Sequence, residues 1–348
     1  PMAYFSISSF VLRHGGKMEM NGKIHVRDLH TRDVCILPSR EERKYFLYDC
    51  FARPGQKGRA VNVRESDDLI WWSESYPVFE PDEDFWGPLD FWAPECHYWR
   101  GKYYLISSFR APGGYRGCQF LEADTPRGPF VPKKNGPATP ADWQCLDGTL
   151  YEDRKGNPWM VFCHEWLQVQ DGQICAIRMK EDLSDSVGEP VILFRASEAP
   201  WKFTDPSGLW KLTEPQPRMG WARVTDGPYL YRAKNGELLM VWSSFSNTAY
   251  TCGYARSLSG EITGPWKQEP EPLFSQDGGH SMLFTDFEGR LLMGLHSPNR
   301  SGQERMLLFE MEDEDGHLHI RNELTGNWMY NKYTPDGGDK WALEDETP

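Results

Sequence analysis

Apolar residues in this chain come in short runs of a strand's length, and the runs recur. "RKYFLYDC" (43–50), "GKYYLISS" (101–108), "GNPWMVFC" (156–163), "GELLMVWSS" (236–244) and "GRLLMGLHS" (289–297) each open on a polar turn. Each continues through aromatic and aliphatic residues and ends in small or polar ones. An unbroken apolar run of that length predicts a fully buried strand. With Tyr45, Tyr103, Trp159, Leu238 and Leu291 taken as equivalent, the steps are 58, 56, 79 and 53 residues. That is the size of a four-stranded unit with its loops, with one long insertion, residues 195–221, ahead of the fourth.

A second phrase follows in the same order. "VRESDDLIWW" (63–72), "LEADTPRGPF" (121–130), "MKEDLSDSVGEPV" (179–191) and "ARSLSGEITGPW" (255–266) pass through an acidic or Ser-rich turn to an apolar residue. Helical spacing with a capping box is almost absent. Two elements repeating in order predict an all-β chain, a single-domain five-bladed β-propeller over residues 31–325. A long β-sandwich would leave the repeat unexplained. Residues 1–30 form an N-terminal extension and 326–348 an acidic C-terminal tail, and either end is expected to be able to complete the last blade.

Composition narrows the partners. Aromatic residues make up 14% of the chain, with 15 Trp and 15 Tyr, and such side chains pack sheets and stack on sugar rings. The net charge of −13 and the lack of a Lys/Arg block argue against nucleic acid. No apolar run is long enough to span a bilayer, and the first residues lack a basic region followed by an apolar core, so a cytoplasmic protein is expected. Eight scattered cysteines without a CxxC pair predict reduced, mostly buried thiols rather than a zinc site or a disulfide framework. Oligomeric state is left open.

In a propeller the first strand of each blade lines the central channel, so polar residues at one end of those strands meet. In blade order they are Asp33 ("HTRDVCIL"), Glu95 ("DFWAPECHYW"), Asp147 ("CLDGTLY"), Asp226 ("VTDGPYLY") and His280 ("DGGHSMLF"). An acid beside a glycine is often turn chemistry, but five such positions in register make that a weak account of the set. Three carboxylates around one pocket suit glycoside hydrolysis. One activates water, a protonated one donates to the leaving oxygen, and a third tunes their pKa values.

The ordered phrases "RDVCIL" with "KYFLYDC", "DFWAPECHYWRGKYYLISS", "LDGTLYEDRKGNPWMVF", "TDGPYLYR" and "DGGHSMLF" resemble the blade motifs of glycoside hydrolase family 43, from about Asp33 to His296. The resemblance implies a five-bladed propeller that hydrolyses glycosides with inversion. It implies Asp33 as general base, Asp147 as the acid that orients and tunes the proton donor, and Asp226 as general acid where the family usually has Glu. It also places His280 near the channel axis, beside a water-coordinated ion (Ca²⁺ or Na⁺) in many members, although no cofactor is demanded. Val34 replaces a usual Pro. Asp226 is a methylene shorter than Glu, holding its proton about 1.5 Å back.

Glu165 ("FCHEWLQ") and Glu95 are therefore alternative acids. Glu95 also resembles the Glu-Cys pair of the invertase and fructanase family, whose first-blade nucleophile motif is missing here. Phe85-Trp86, Phe91-Trp92 and Trp166 are candidates for a sugar platform. His164 and Arg300 join Trp92 and His280 as candidate substrate-binding residues. The expected function is an inverting exo-glycosidase acting on plant cell-wall oligosaccharides, of α-L-arabinofuranosidase or β-xylosidase type. A sugar-binding propeller without catalysis is the alternative, and a galactosidase, galactofuranosidase or endo-arabinanase of the same family is a lesser one.

Overall fold

The computed structural model describes residues 11–12, 18–20, 22–56, 58–201, 223–246 and 249–326. Among the described residues twenty-four strands fall into five antiparallel sheets, and in four of them the strands succeed one another along the chain, whereas the first also takes in the N-terminal strands. Blade I is built on Cys35–Ser39, Lys44–Asp49, Val61–Ser66 and Tyr76–Phe79. Blade II has Leu89–Trp99, Lys102–Arg110, Arg116–Ala123 and Val131–Pro132. Blade III has Cys145–Glu152, Pro158–His164, Gln173–Met179 and Ser186–Arg195. Blade IV has Asp226–Arg232, Leu238–Phe245, Tyr250–Ser257 and Trp266–Gln268. Blade V has Gly279–Thr285, Leu291–Ser297, Arg305–Glu314 and His317–Glu323. The chain is a five-bladed propeller, as the repeats predict.

The five recurring runs are the second strands of the blades, not the channel-lining first strands. They are apolar throughout because each blade is packed on both faces. In blade III, Met160 and Phe162 pack with Ile106 and Phe120 of blade II, whereas the alternate residues Val161 and Cys163 pack with Leu238 and Met240 of blade IV. Blade IV repeats the pattern, with Leu239 and Val241 turned to Leu283 and Met293 of blade V. Burying each such aliphatic side chain fully contributes roughly 1.5–3 kcal/mol. Alternate faces packed on different neighbours turn a period-2 strand into a continuous hydrophobic run. The second recurring phrase is the hairpin from third to fourth strand.

Side-chain packing closes the ring between blades V and I. Val34, Ile36 and Leu47 share a cluster with Met282, Leu292 and Met306. A single bridge pairs His30 with Arg305, and the Thr31 N–H donates to the Glu304 carbonyl at 3.2 Å. Blade V takes all its strands from residues 279–323, and Lys23–His25 of the N-terminal extension pairs instead with Trp71–Trp72 of blade I. Most of the long insertion, residues 202–222, and the tail from 327 lie outside the described residues. All eight cysteines are free thiols, and seven of them are buried. No helix among the described residues is long and apolar enough to cross a membrane.

Candidate active site

Each first strand begins with a kink. The register against the second strand shifts between Trp92 and Glu95, between Leu146 and Thr149, between Asp226 and Tyr229, and between Gly279 and Met282. One residue in each kink has left-handed backbone: Ala93 (φ 45°), Asp147 (54°), Gly227 (48°) and His280 (51°), with Asp33 (51°) at the same place in blade I. A non-glycine residue held there costs on the order of 1–3 kcal/mol, so surrounding contacts must fix it. The kink delivers Asp33, Ala93, Asp147 and His280 into one cavity of about 640 Å³.

The register corrects the expected set at two positions. In blade IV the kink residue is Gly227, where an added Cβ would stand 2.7 Å from the His280 ring, so the carboxylate moves back one residue to Asp226. In blade II the kink residue is Ala93, and Glu95 lies two residues deeper along Leu89–Trp99, at the level of Thr149 and Tyr229. Glu95 is hydrogen-bonded to His97 (Oε2 to Nε2, 2.7 Å) and does not line the cavity.

The preceding blade secures four of the kinks. The Asp147 N–H donates to Ser108 Oγ at 2.9 Å, the His280 N–H to Ser243 Oγ at 2.8 Å, and the Asp33 N–H to His296 Nδ1 at 3.2 Å. Ser108, Ser243 and His296 occupy one register position, opposite Trp92, Asp226 and Gly279 on their second strands. In blade IV the Gly227 N–H donates to Asp147 Oδ2 at 3.0 Å instead. The sequence signal for two of these latches is the serine pair that ends the run, Ser107-Ser108 and Ser243-Ser244, of which the second serine serves in blade II and the first in blade IV.

Five carboxyls line the cavity; Glu304 is bound to His30 and Arg32, and the other four differ in charge state. Burial opposes ionisation of Asp33, but His280 Nδ1 at 3.2 Å and Arg32 Nε at 3.6 Å outweigh it and hold the carboxyl below its usual range. Arg32 is anchored in turn by Glu304 Oε1 at 2.9 Å and Asn299 Oδ1 at 3.0 Å. Burial drives Asp147 up to about 6, although His280 Nδ1 lies 3.7 Å from it. Asp226 rises to about 7, first through burial and then through the charge of Asp147, while accepting a hydrogen bond from Tyr250 OH at 3.0 Å. Glu165 rises to about 7 by burial and by the charge of Asp226.

The two histidines also differ. Burial opposes protonation of His280, but Asp33, Asp147 and Asp226 reverse this and raise it. His296 is pushed down to about 4, first by burial, and stays neutral. Its Nδ1 accepts the Asp33 N–H, so its proton sits on Nε2 and is donated to Asn299 Oδ1 at 3.3 Å.

Comparison with known proteins decides which family builds such a site. The family profile "Glycosyl hydrolases family 43" matches residues 31–316, which takes in blades I to IV and the first three strands of blade V. The chain belongs to glycosyl hydrolase family 43. A solved endo-arabinase from Bacteroides thetaiotaomicron VPI-5482 is 41% identical, with a TM-score of 0.74, covering 85% of this chain and 99% of that one. The extracellular endo-α-(1→5)-L-arabinanase 1 of Bacillus subtilis (strain 168) is 24% identical over 221 residues, 61% of this chain and 56% of that protein's length. An α-L-arabinofuranosidase from Lactobacillus brevis shares the fold at 16% identity and a TM-score of 0.63, covering 85% and 97% of the two chains. The chain is a glycosidase, and its substrate is a carbohydrate.

Within this family 43 propeller, Asp33, Asp147, Asp226, Glu165, Trp92 and His280 all line the cavity. Trp92 is 44% exposed, and the Arg116 guanidinium covers one of its faces 3.4 Å from the ring centroid. Four expected binding residues lie elsewhere or turn inward. His164 is buried, stacked on Trp143 with centroids 4.0 Å apart and held by Gln168 and Gln173, because its strand is the second of blade III and not an inner one. Arg300 is exposed while its neighbours Asn299 and Ser301 line the cavity, and the arginines that line it are Arg32 and Arg59. Phe85 belongs to the blade II aromatic cluster, and Trp86 Nε1 donates to Gln119.

Among the described residues, no three His, Cys, Asp or Glu side chains converge as metal ligands. His280 Nδ1 is engaged by two carboxylates, so an axial ion would hold only to the other ring nitrogen and to water.

Proposed function

We propose that this family 43 glycosidase cleaves α-linked L-arabinofuranosyl chains with inversion of the anomeric carbon. The observation that carries the reading is the opposed charge state of carboxyls in one cavity. Asp33 is held ionised by His280 and Arg32, while Asp226 and Glu165 keep their protons up to about pH 7. An ionised carboxylate can take a proton from water as its oxygen attacks the anomeric carbon. A protonated one can deliver its proton to the glycosidic oxygen as the C–O bond breaks. Asp33 is the base in this scheme, Asp147 raises the pKa of Asp226, and the acid comes from the protonated pair.

The 41% identical endo-arabinase and the arabinanase match support arabinan as the substrate, and they favour internal cleavage over the exo action expected from the sequence. Linear arabinan, arabino-oligosaccharides and xylo-oligosaccharides would be digested with the wild-type protein, and the first-formed anomer followed by NMR. A ladder of short arabino-oligosaccharides with inverted configuration is expected. Release of arabinose alone would return the exo reading, and cleavage restricted to xylo-oligosaccharides would overturn the arabinan assignment.

A further inference from the structure

Glu165, another carboxyl of the cavity, has no counterpart among the first-strand kinks. It follows the second strand of blade III and precedes the short helix Trp166–Val169. Its backbone N–H is fixed to the Gln144 carbonyl at 2.9 Å, so the main chain is anchored while the side chain faces the cavity beside Trp166.

The partners of Asp33, Asp147, Asp226 and Glu165 separate their tasks. Asp33 is tied to His280 and Arg32, Asp147 to the Gly227 N–H and His280, and Asp226 to Tyr250. Each is held by a neighbour that limits its reach. Among the described residues no ion pair and no other side chain holds Glu165; the Leu167 N–H of its own turn faces its carboxyl, and the Arg116 charge favours its ionised form without an ion-pair contact. Glu165 is also a methylene longer than Asp226. A proton donor must come within hydrogen-bond reach of the leaving oxygen, and a longer, untethered side chain meets that demand better.

We infer that Glu165 is the group that protonates the departing sugar oxygen, and that Asp226, a methylene shorter and tied to Tyr250, is a positioning residue beside it. The inference rests on the inverting-glycosidase reading above. In the balanced step the glycosidic C–O bond breaks, its electron pair goes to the leaving oxygen, and that oxygen takes the Glu165 proton. Water adds to the anomeric carbon and loses its proton to Asp33. Exchange with solvent then resets both carboxyls.

The test compares Glu165→Gln and Asp226→Asn on two substrates, natural arabino-oligosaccharides and a nitrophenyl arabino-oligoside whose leaving group needs little protonation. Glu165→Gln is expected to lose on the order of 10²–10⁴-fold in kcat on the natural linkage. It should stay within several-fold of wild type on the nitrophenyl substrate, which also shows that the variant is folded. It should lose the basic limb of the pH profile. Asp226→Asn should keep that limb, moved to lower pH because the charge that raises Glu165 is gone. If Asp226→Asn instead shows the leaving-group-dependent loss and Glu165→Gln does not, Asp226 is the donor and the inference fails with the glycosidase reading intact. A wild-type protein inactive on both substrates would overturn the arabinan reading itself.

Discussion

His280 Nδ1 lies 3.2 Å from Asp33 Oδ1 and 3.7 Å from Asp147 Oδ2, so one ring nitrogen from blade V serves carboxylates from blades I and III. The imidazolium favours ionisation of both, and its removal raises both. Asn is the suitable replacement because position 280 has φ 51°, a region Asn tolerates better than most residues. In His280→Asn, the acidic limb of the kcat/KM profile, set by Asp33, is expected to move to higher pH. A profile superimposable on wild type would show that His280 does not set the charge of Asp33.

Asp226 couples activity to stability. Its carboxyl is raised by burial from 3.8 to about 7, so its ionisation costs more in the folded chain than in the unfolded one. The folded state bears none of this cost below pH 4, a growing share as pH rises toward 7, and all of it above. Asp226→Asn should therefore melt higher than wild type at pH 8, with a gain that shrinks toward pH 5. Thermal unfolding at the two pH values checks this, and a gain independent of pH would remove ionisation as the cause.

Asp33→Asn removes the ionised carboxylate and should reduce kcat on the order of 10²–10⁴-fold. The loss should be alike on natural and nitrophenyl substrates, since both need an activated water. Single-turnover rates on the two substrates measure it. A loss confined to the natural linkage would place Asp33 on the leaving-group side.

Much of this was legible in the sequence because inter-blade packing is local in pattern. Val161 and Met160 face different blades, so the strand between Pro158 and His164 reads as one apolar run. Asp33 and Asp147 were legible as acids ahead of apolar residues. The kink was not, because a register shift appears only once two strands pair. Thus Glu95 looked equivalent to Asp147, although Ala93 holds that place. Arg300 and His164 failed for a related reason. Their strands are the second of each blade, and proximity in sequence to a site residue does not set which way a side chain turns. Arg32 carried a signal, being adjacent to Asp33, but its role depends on Glu304 and Asn299 from the far end of the chain.

The serine latches give a last prediction that separates support from chemistry. Ser108 Oγ accepts the Asp147 N–H at 2.9 Å and Ser243 Oγ accepts the His280 N–H at 2.8 Å, and both serines are fully buried. Replacing either with Ala leaves a buried N–H without a partner at a residue whose backbone is already unfavourable, a cost of roughly 1–3 kcal/mol. Both variants should lose that much in denaturant unfolding. They should differ in the pH profile. Ser243→Ala loosens His280 and so moves the limb set by Asp33 upward, whereas Ser108→Ala loosens Asp147, which does not hold Asp33, and leaves that limb in place. Equal destabilisation with unchanged profiles would mean that the latches hold the fold but not the charges of the site.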